Sequence, residues 1–157
     1  MNNPRRLSHS GLPDEFKKKI QEISGAKNVD YEILVIRKRL SAADINQEQN
    51  SFFMPSIQIR STGRNFLNTD ELAHLRMVSS GGEHFTFLRV MSLDPNLTFS
   101  TFFLKIWNVQ NSGENVISYV LTVNWNEIVA RNNLQDQEIL QLWAIRVGGN
   151  LWFVLRK

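Results

Sequence analysis

The 157-residue sequence predicts an all-β domain, seven strands curled into a small barrel, with two or three short helices. Three observations carry this reading. From residue 84 onward, apolar runs follow one another with turn residues and one short helical patch between them, too closely spaced for long crossover helices. Several runs lack strict in–out alternation, so both strand faces are partly covered, as in a small barrel. Only one segment, residues 12–26, combines a helical period with both start and stop signals.

Residues 1–11 are polar, contain Pro4 and Gly11 and show no periodicity; they read as a disordered tail. A helix is expected over 12–26. Pro13 suits its first position, Asp14 and Glu15 suit the positive end of the helix dipole, and Gly25 suits the stop. Leu12, Phe16, Ile20 and Ile23 share one face, while Lys17, Lys18 and Lys19 form a solvated side. A strand follows over 31–40, where Ile33, Val35 and Arg37 alternate with Leu34, Ile36 and Lys38. Residues 41–50, SAADINQEQN, read as one short helical turn and a loop, with Ser41 as N-cap and Asp44 at the fourth position. The strand over 51–59 contains Pro55, which donates no ladder hydrogen bond and restricts the strand to an edge or a bulge. Thr69 is the N-cap candidate of a second short helix bearing Leu72 and Leu75, and SSGGE (79–83) breaks the chain. The remaining strands are expected over 84–93, 97–107, 116–122, 139–145 and 151–155. Asp94-Pro95-Asn96 is a turn, NVQNSGEN (108–115) a polar loop, and Gly148-Gly149 a two-residue hairpin.

Composition narrows the chemistry. The chain is 42% hydrophobic and 21% charged, enough apolar material for a packed core. It has no cysteine, which removes disulfides, thiolate zinc sites and cysteine nucleophiles and favours a reducing compartment. No apolar run is long enough to span a membrane, and no secretory signal is visible. The three histidines, His9, His74 and His84, lack the i, i+3 or i+4 spacing of a metal site. No glycine-rich phosphate loop is present, since neither Gly81-Gly82 nor Gly148-Gly149 has the lysine and following helix it needs. An enzyme is therefore not expected, nor a cofactor, a metal or a small-molecule substrate. The net charge of +3 lies entirely in residues 1–60, which carry ten Lys/Arg against seven Asp/Glu. That permits a nucleic-acid partner without arguing for one.

One stretch demands more: SYVLTVNWNEIVARNNLQDQEILQLW, 118–143, joins two apolar runs through a single short helical patch. Tyr119, Val120, Leu121, Thr122, Trp125, Val129, Asn133 and Leu134 match the pattern of the plant B3 DNA-binding domain, which this stretch resembles. Upstream, Leu40, Ser41, Asp44, Ile45, Asn50, Phe52 and Pro55 sit at corresponding places in the same pattern. The segments LPDEF and GAKN are similar to a plant-specific B3 subfamily with an added N-terminal helix. The resemblance covers about residues 12–157 and implies one B3-type domain, helix 12–26 and barrel 31–157. It implies a seven-stranded open pseudobarrel with two short helices plus the N-terminal helix. The patch after Trp125 is then a lid on the barrel mouth, with Trp125, Ile128 and Val129 buried.

The resemblance also implies a clamp on double-stranded DNA, with two arms in the major groove. The first arm is about residues 38–51, with candidates Lys38, Arg39, Asn46, Gln47, Gln49, Asn50 and Ser51. The second is about 105–115, with Lys105, Trp107, Asn108, Gln110 and Asn111. Asn and Gln amides suit adenine, and Lys or Arg suits guanine or phosphate. The expected role is sequence-directed DNA binding by a transcription-related nuclear protein. The rival expectation is a protein-interaction module that kept the barrel and lost DNA contact, meeting partners through the N-terminal helix and exposed aromatics. Four departures bear on the arms and the lid: Ser51 replaces an arginine, Ile106 stands where a second arginine is frequent, Asn124 replaces glycine, and Gln137-Glu138 replaces Gly-Asp.

Overall fold

The computed structural model describes residues 11–60, 63, 65–76, 86–111 and 114–157, with side chains omitted over 108–117. In chain order the elements are α1 (Asp14–Ser24), β1 (Tyr31–Arg39), β2 (Ser51–Pro55), α2 (Thr69–Arg76), β3 (Leu88–Leu93), β4 (Phe99–Asn111), β5 (Glu114–Thr122), α3 (Trp125–Arg131), β6 (Ile139–Val147) and β7 (Asn150–Arg156). The seven strands form one sheet in the order β1-β6-β7-β3-β4-β5-β2. Every pairing is antiparallel except β3 with β7. The sheet curls until its edge strands, β1 and β2, approach each other, giving a nearly closed barrel.

The seam between these edges is held without a strand ladder. Lys38 Nζ on β1 donates to the carbonyl of Phe53 on β2 at 2.6 Å. Past β2 the chain makes a 3-10 turn over Ser56–Gln58, and Arg60 N donates to Val35 O at 2.9 Å. At Gly63 an added Cβ would lie 2.7 Å from both Leu34 O and Val35 Cα, so only glycine lets this segment lie against β1. A register shift between Leu34 and Ile36 turns the successive residues Val35 and Ile36 both into the interior.

Two cores result. The barrel interior holds Val35, Ile36, Leu40, Phe52, Met54, Phe102, Leu104, Leu121, Trp125 and Ile128, among others. The second core lies outside the barrel, where Leu12, Phe16 and Ile20 pack on Trp143, Ile145, Trp152 and Val154. This explains the lost alternation of β6 and β7: their outer residues are covered by α1. Ile23, expected on that face, is 41% exposed instead, while Ala26 and Val29 beyond the helix pack against this core.

Several boundaries differ from the sequence expectation for identifiable reasons. The strand over 51–59 stops at Pro55, whose fixed φ starts the 3-10 turn. The segment 41–50 forms successive turns rather than a helix. The expected polar loop 108–115 is largely strand, because β4 and β5 continue as a two-stranded hairpin beyond the barrel wall. The strand expected from residue 84 begins at Leu88; residues 84 and 85, the break 79–83 and residues 1–10 of the tail lie outside the described residues. Gly148 and Gly149 both have positive φ, 58° and 84°, as a two-residue type I′ hairpin requires.

The cap of α2 is Asn68, not Thr69. Asn68 Oδ1 accepts the Glu71 N–H at 2.8 Å, and Glu71 Oε1 accepts the Asn68 N–H at 2.9 Å, a reciprocal capping box. The same Glu71 carboxylate takes both terminal guanidinium nitrogens of buried Arg146 on β6, through Oε1 and through Oε2 at 2.7 Å. Arg146 further donates to Tyr31 Oη, Phe66 O and Gly149 O. The Glu71 bond outweighs the desolvation and raises the guanidinium pKa above its already high ordinary value. Removing one partner of such a pair leaves an uncompensated buried charge. Glu71→Ala is therefore expected to destabilise the domain by about 3–5 kcal/mol, read as a lower urea midpoint at unchanged slope. A change below about 1 kcal/mol would mean the carboxylate does not hold Arg146 in solution.

Candidate nucleic-acid interface

The mouth of the barrel is built around Asp44. Its carboxylate accepts Lys38 Nζ at 3.0 Å, Ser41 N at 2.8 Å and Ser41 Oγ at 3.1 Å. Its backbone carbonyl accepts Trp125 Nε1 at 2.6 Å. Trp125 is fully buried between Phe52 (ring centroids 4.9 Å apart) and Phe102 (6.4 Å). Ile128 is buried beside it, and Val129 packs against the same core. The lid helix α3 thus plugs the barrel, as the resemblance implied.

Both ends of α3 are fastened. At its start Val123 and Asn124 have positive φ, 68° and 67°, turning the chain out of β5. Asn tolerates this left-handed region, and Asn124 Nδ2 adds a bond to Thr101 O at 2.8 Å. Val123 is β-branched and strained there. At the other end Arg131 Nε donates at 2.7 Å to Asp94, whose carboxylate also accepts Asn96 N and Thr98 N in the β3–β4 turn.

The first arm, about residues 38–51, lies against this lid through its residues 47 and 50. Asn126 N donates to Asn50 Oδ1 at 2.8 Å, and Asn126 Nδ2 donates to Gln47 O at 2.7 Å. Asn46 Oδ1 accepts Glu48 N at 2.9 Å. Asn46 therefore spends its side-chain acceptor inside the arm, and Asn50 spends its own on the lid helix. Gln47 and Gln49 are exposed, and neither side chain has a partner among the described residues. Ser51 is half-buried at the start of β2, opposite Thr122. Arg39 is exposed and donates through one guanidinium nitrogen to Gln137 O at 3.0 Å.

Lys38 is the residue whose setting differs most from a phosphate-binding lysine. Its side chain is 11% exposed, and its ammonium is shared between the Asp44 carboxylate and the Phe53 carbonyl. It also lies 5.2 Å from the Phe52 ring centroid. The geometry makes it a clamp across the β1–β2 seam.

The second arm is the β4–β5 hairpin, to whose strands Lys105, Trp107, Asn108, Gln110 and Asn111 belong. The side chains of Asn108, Gln110 and Asn111 lie outside the described set. Inward residues Phe102 and Leu104 alternate with outward Phe103, Lys105 and Trp107. Trp107 is 57% exposed and meets Phe53 of β2 edge-to-face at 5.6 Å. Phe87 stacks on Phe103 at 4.2 Å, and Arg89 is paired in register with Phe103. Neither Lys105 nor Arg89 engages a carboxylate among the described residues. This outer face, carrying Phe53, Phe87, Arg89, Phe103, Lys105 and Trp107, is the part that reading the sequence missed; only Lys105 and Trp107 were singled out. Strand alternation gives each residue a face, but which face stays bare depends on α1 covering the other half. On the inner side, burial pushes the Tyr119 phenol above its ordinary pKa, with Arg76 pulling it partly back; it stays neutral against the Phe66 ring.

A nearly closed seven-stranded barrel, plugged by a tryptophan-anchored helix and carrying two projecting arms, defines the B3 class of domain. The family model described as "B3 domain-containing protein At2g31720-like" matches residues 12–157. The chain belongs to this B3 family, a family of DNA-binding domains. Among similar proteins, B3 domain-containing protein At2g31420 of Arabidopsis thaliana is 26% identical over 153 residues, 94% of this chain and 66% of that protein. B3 domain-containing protein At3g25182 of Arabidopsis thaliana is 27% identical over 79% of this chain and 35% of its own length. The chain thus spans between about a third and two thirds of these relatives. A solved structure described as "Arabidopsis FUS3-DNA complex" is 16% identical, with a TM-score of 0.45, covering 78% of this chain and 94% of that one.

Two expectations follow from the geometry. Lys38→Met should lower stability by about 3–5 kcal/mol, because it strands the buried Asp44 carboxylate. It should leave the salt slope of duplex affinity unchanged, whereas losing a phosphate-contacting lysine would shift that slope by about 0.9. Val123→Asn should raise stability by about 1 kcal/mol in denaturant titrations, since Asn accepts the left-handed backbone that strains valine. A loss of stability would show that the valine side chain contributes more than its strain costs.

Proposed function

We propose that this domain binds double-stranded DNA in a sequence-directed manner, through two arms in the major groove, as part of a transcription-related nuclear protein. Membership of a DNA-binding family supports the partner class. One observation carries the geometry: the two arms leave opposite ends of β5 and flank the bare outer face. The first arm enters β2 at Ser51, opposite Thr122, while the β4–β5 ladder extends to the pair Asn111 and Glu114. The eight steps from Glu114 to Thr122 span roughly 26 Å at about 3.3 Å per residue. That is about seven or eight base-pair steps of about 3.4 Å, a length suited to two separated readings of one groove.

The residue types divide the work. Gln47 and Gln49 in the first arm, and Asn108, Gln110 and Asn111 in the second, offer amides for base edges. Lys105 and Arg39 supply charge for phosphates, and Trp107 supplies an exposed ring beside Lys105. Ser51, at the arm's junction with β2, brings a hydroxyl rather than a cation. The charge available is small. The rival reading, a protein-interaction module, draws on the exposed rings of Phe87 and Trp107 and on the outer side of α1.

Electrophoretic titration of randomised duplex at low and moderate salt tests the proposal. Binding should weaken with salt at a log–log slope shallower than about −6, since each neutralised phosphate contributes about 0.9. Asn108→Ala should then cost about 1–3 kcal/mol at one base position while the circular dichroism spectrum stays unchanged. Absence of duplex binding at low salt would favour the interaction module.

A further inference from the structure

The first arm is held in its shape by the lid helix, and one residue makes both of the bonds from α3 into its distal part. Asn126, the second residue of α3, gives its backbone N–H to Asn50 Oδ1 and its side-chain amide to Gln47 O. Inside the arm, Asn46 Oδ1 accepts Glu48 N, Asn46 O accepts Gln49 N at 3.1 Å, and Asn50 has a left-handed φ of 44°. Residues 46–50 are thus tied at both ends of a tight reversal.

We propose that Asn126 is a positioning residue for base readout: it fixes the arm so that its tip, Gln47-Glu48-Gln49, reads the groove edge. This rests on the DNA-binding reading above. A bidentate amide contact to adenine needs the oxygen and the nitrogen of one amide together. Asn46 has committed its oxygen within the arm and Asn50 has committed its oxygen to Asn126 N, so they do not meet that need while the arm keeps this shape. Gln47 and Gln49 keep both atoms free among the described residues. Glu48 between them is exposed and anionic, unsuited to phosphate but suited to accept from the amino group of cytosine. The tip therefore selects for adenine and cytosine edges rather than for guanine. Holding the loop in advance matters because a loop that orders only on binding loses entropy at that moment. Without Asn126 the tip samples many shapes, and the penalty falls on the cognate duplex, which alone needs the correct one.

Asn126→Ala tests this, because it changes no charge and keeps the backbone N–H to Asn50. The probes are the duplex enriched by the wild-type protein from a randomised pool and its scrambled counterpart. Expected are an about tenfold loss of discrimination between the two, an unchanged salt slope, and faster amide exchange at residues 47–50. Equal weakening toward both duplexes, with a lowered melting temperature, would reduce Asn126 to a merely structural role and overturn the proposal. So would unchanged discrimination, or unchanged exchange at 47–50. If the wild-type protein enriches no duplex, the functional reading falls together with this one; if it enriches a duplex that the variant discriminates equally well, only the positioning role falls.

Discussion

Asp44 is the point at which β1, the turn that follows it and the lid helix become one structure. Its carboxylate is 3% exposed, a setting in which an unpaired charge would be prohibitive. Lys38 supplies the counter-charge from β1, Ser41 supplies a backbone and a hydroxyl donor, and the Asp44 carbonyl receives the indole N–H of Trp125. Each bond is modest alone, but they are mutually conditional. The lysine can lie in the seam only because the carboxylate is there. The tryptophan can be buried to its nitrogen only because the carbonyl is turned toward it. Barrel closure, lid seating and the root of the first arm therefore stand or fall together.

Much of this was legible in the sequence. The Ser41–Asp44 spacing was readable as a local cap, although it closes a turn rather than a helix, and the lid bearing Trp125, Ile128 and Val129 was legible through the resemblance to the B3 pattern. Lys38 shows what such reading could not supply. It was singled out as a candidate DNA contact, and only the curl of the sheet brings Phe53 and Asp44 around it. Arg146 was equally opaque: inside an apolar strand it met Glu71 and Tyr31, 75 and 115 residues away. The cap of α2 was misassigned by one residue because Asn68 and Thr69 are both good caps; the choice went to the one three residues before a glutamate. The hairpin was underestimated because Asn and Gln suggest loop, while pairing with a neighbouring strand outweighs weak intrinsic preference.

The departures from the family pattern also sort by physics. Asn124 takes the place of a glycine with little loss, since asparagine tolerates the left-handed backbone and adds its own bond to Thr101. Gln137 also stands at a glycine position, with φ of 75°, and among the described residues its side chain bonds only to its neighbour Asp136. Ile106 packs against the barrel core, where a guanidinium would need partners of its own. The fold thus absorbs these changes through local geometry, while Ser51 and Ile106, each standing where the pattern has an arginine, are the ones that lower the charge of the arms.

The parallel pairing of β3 with β7 has a kinetic consequence. β7, the last strand in the sequence, is not at the rim of the sheet but between β6 and β3. During synthesis, the hairpin of β4 and β5 and the pairing of β3 with β4 can form early, since their partners are near in sequence. The two halves of the barrel cannot join until residues 150–156 have left the ribosome, because that strand is the only bridge between them within the sheet. A chain dominated by such distant pairings folds slowly, on the millisecond-to-second scale typical of β-barrels. In the interval, β3 presents an unpaired edge flanked by apolar residues, a surface on which chaperones act and from which misassembly begins.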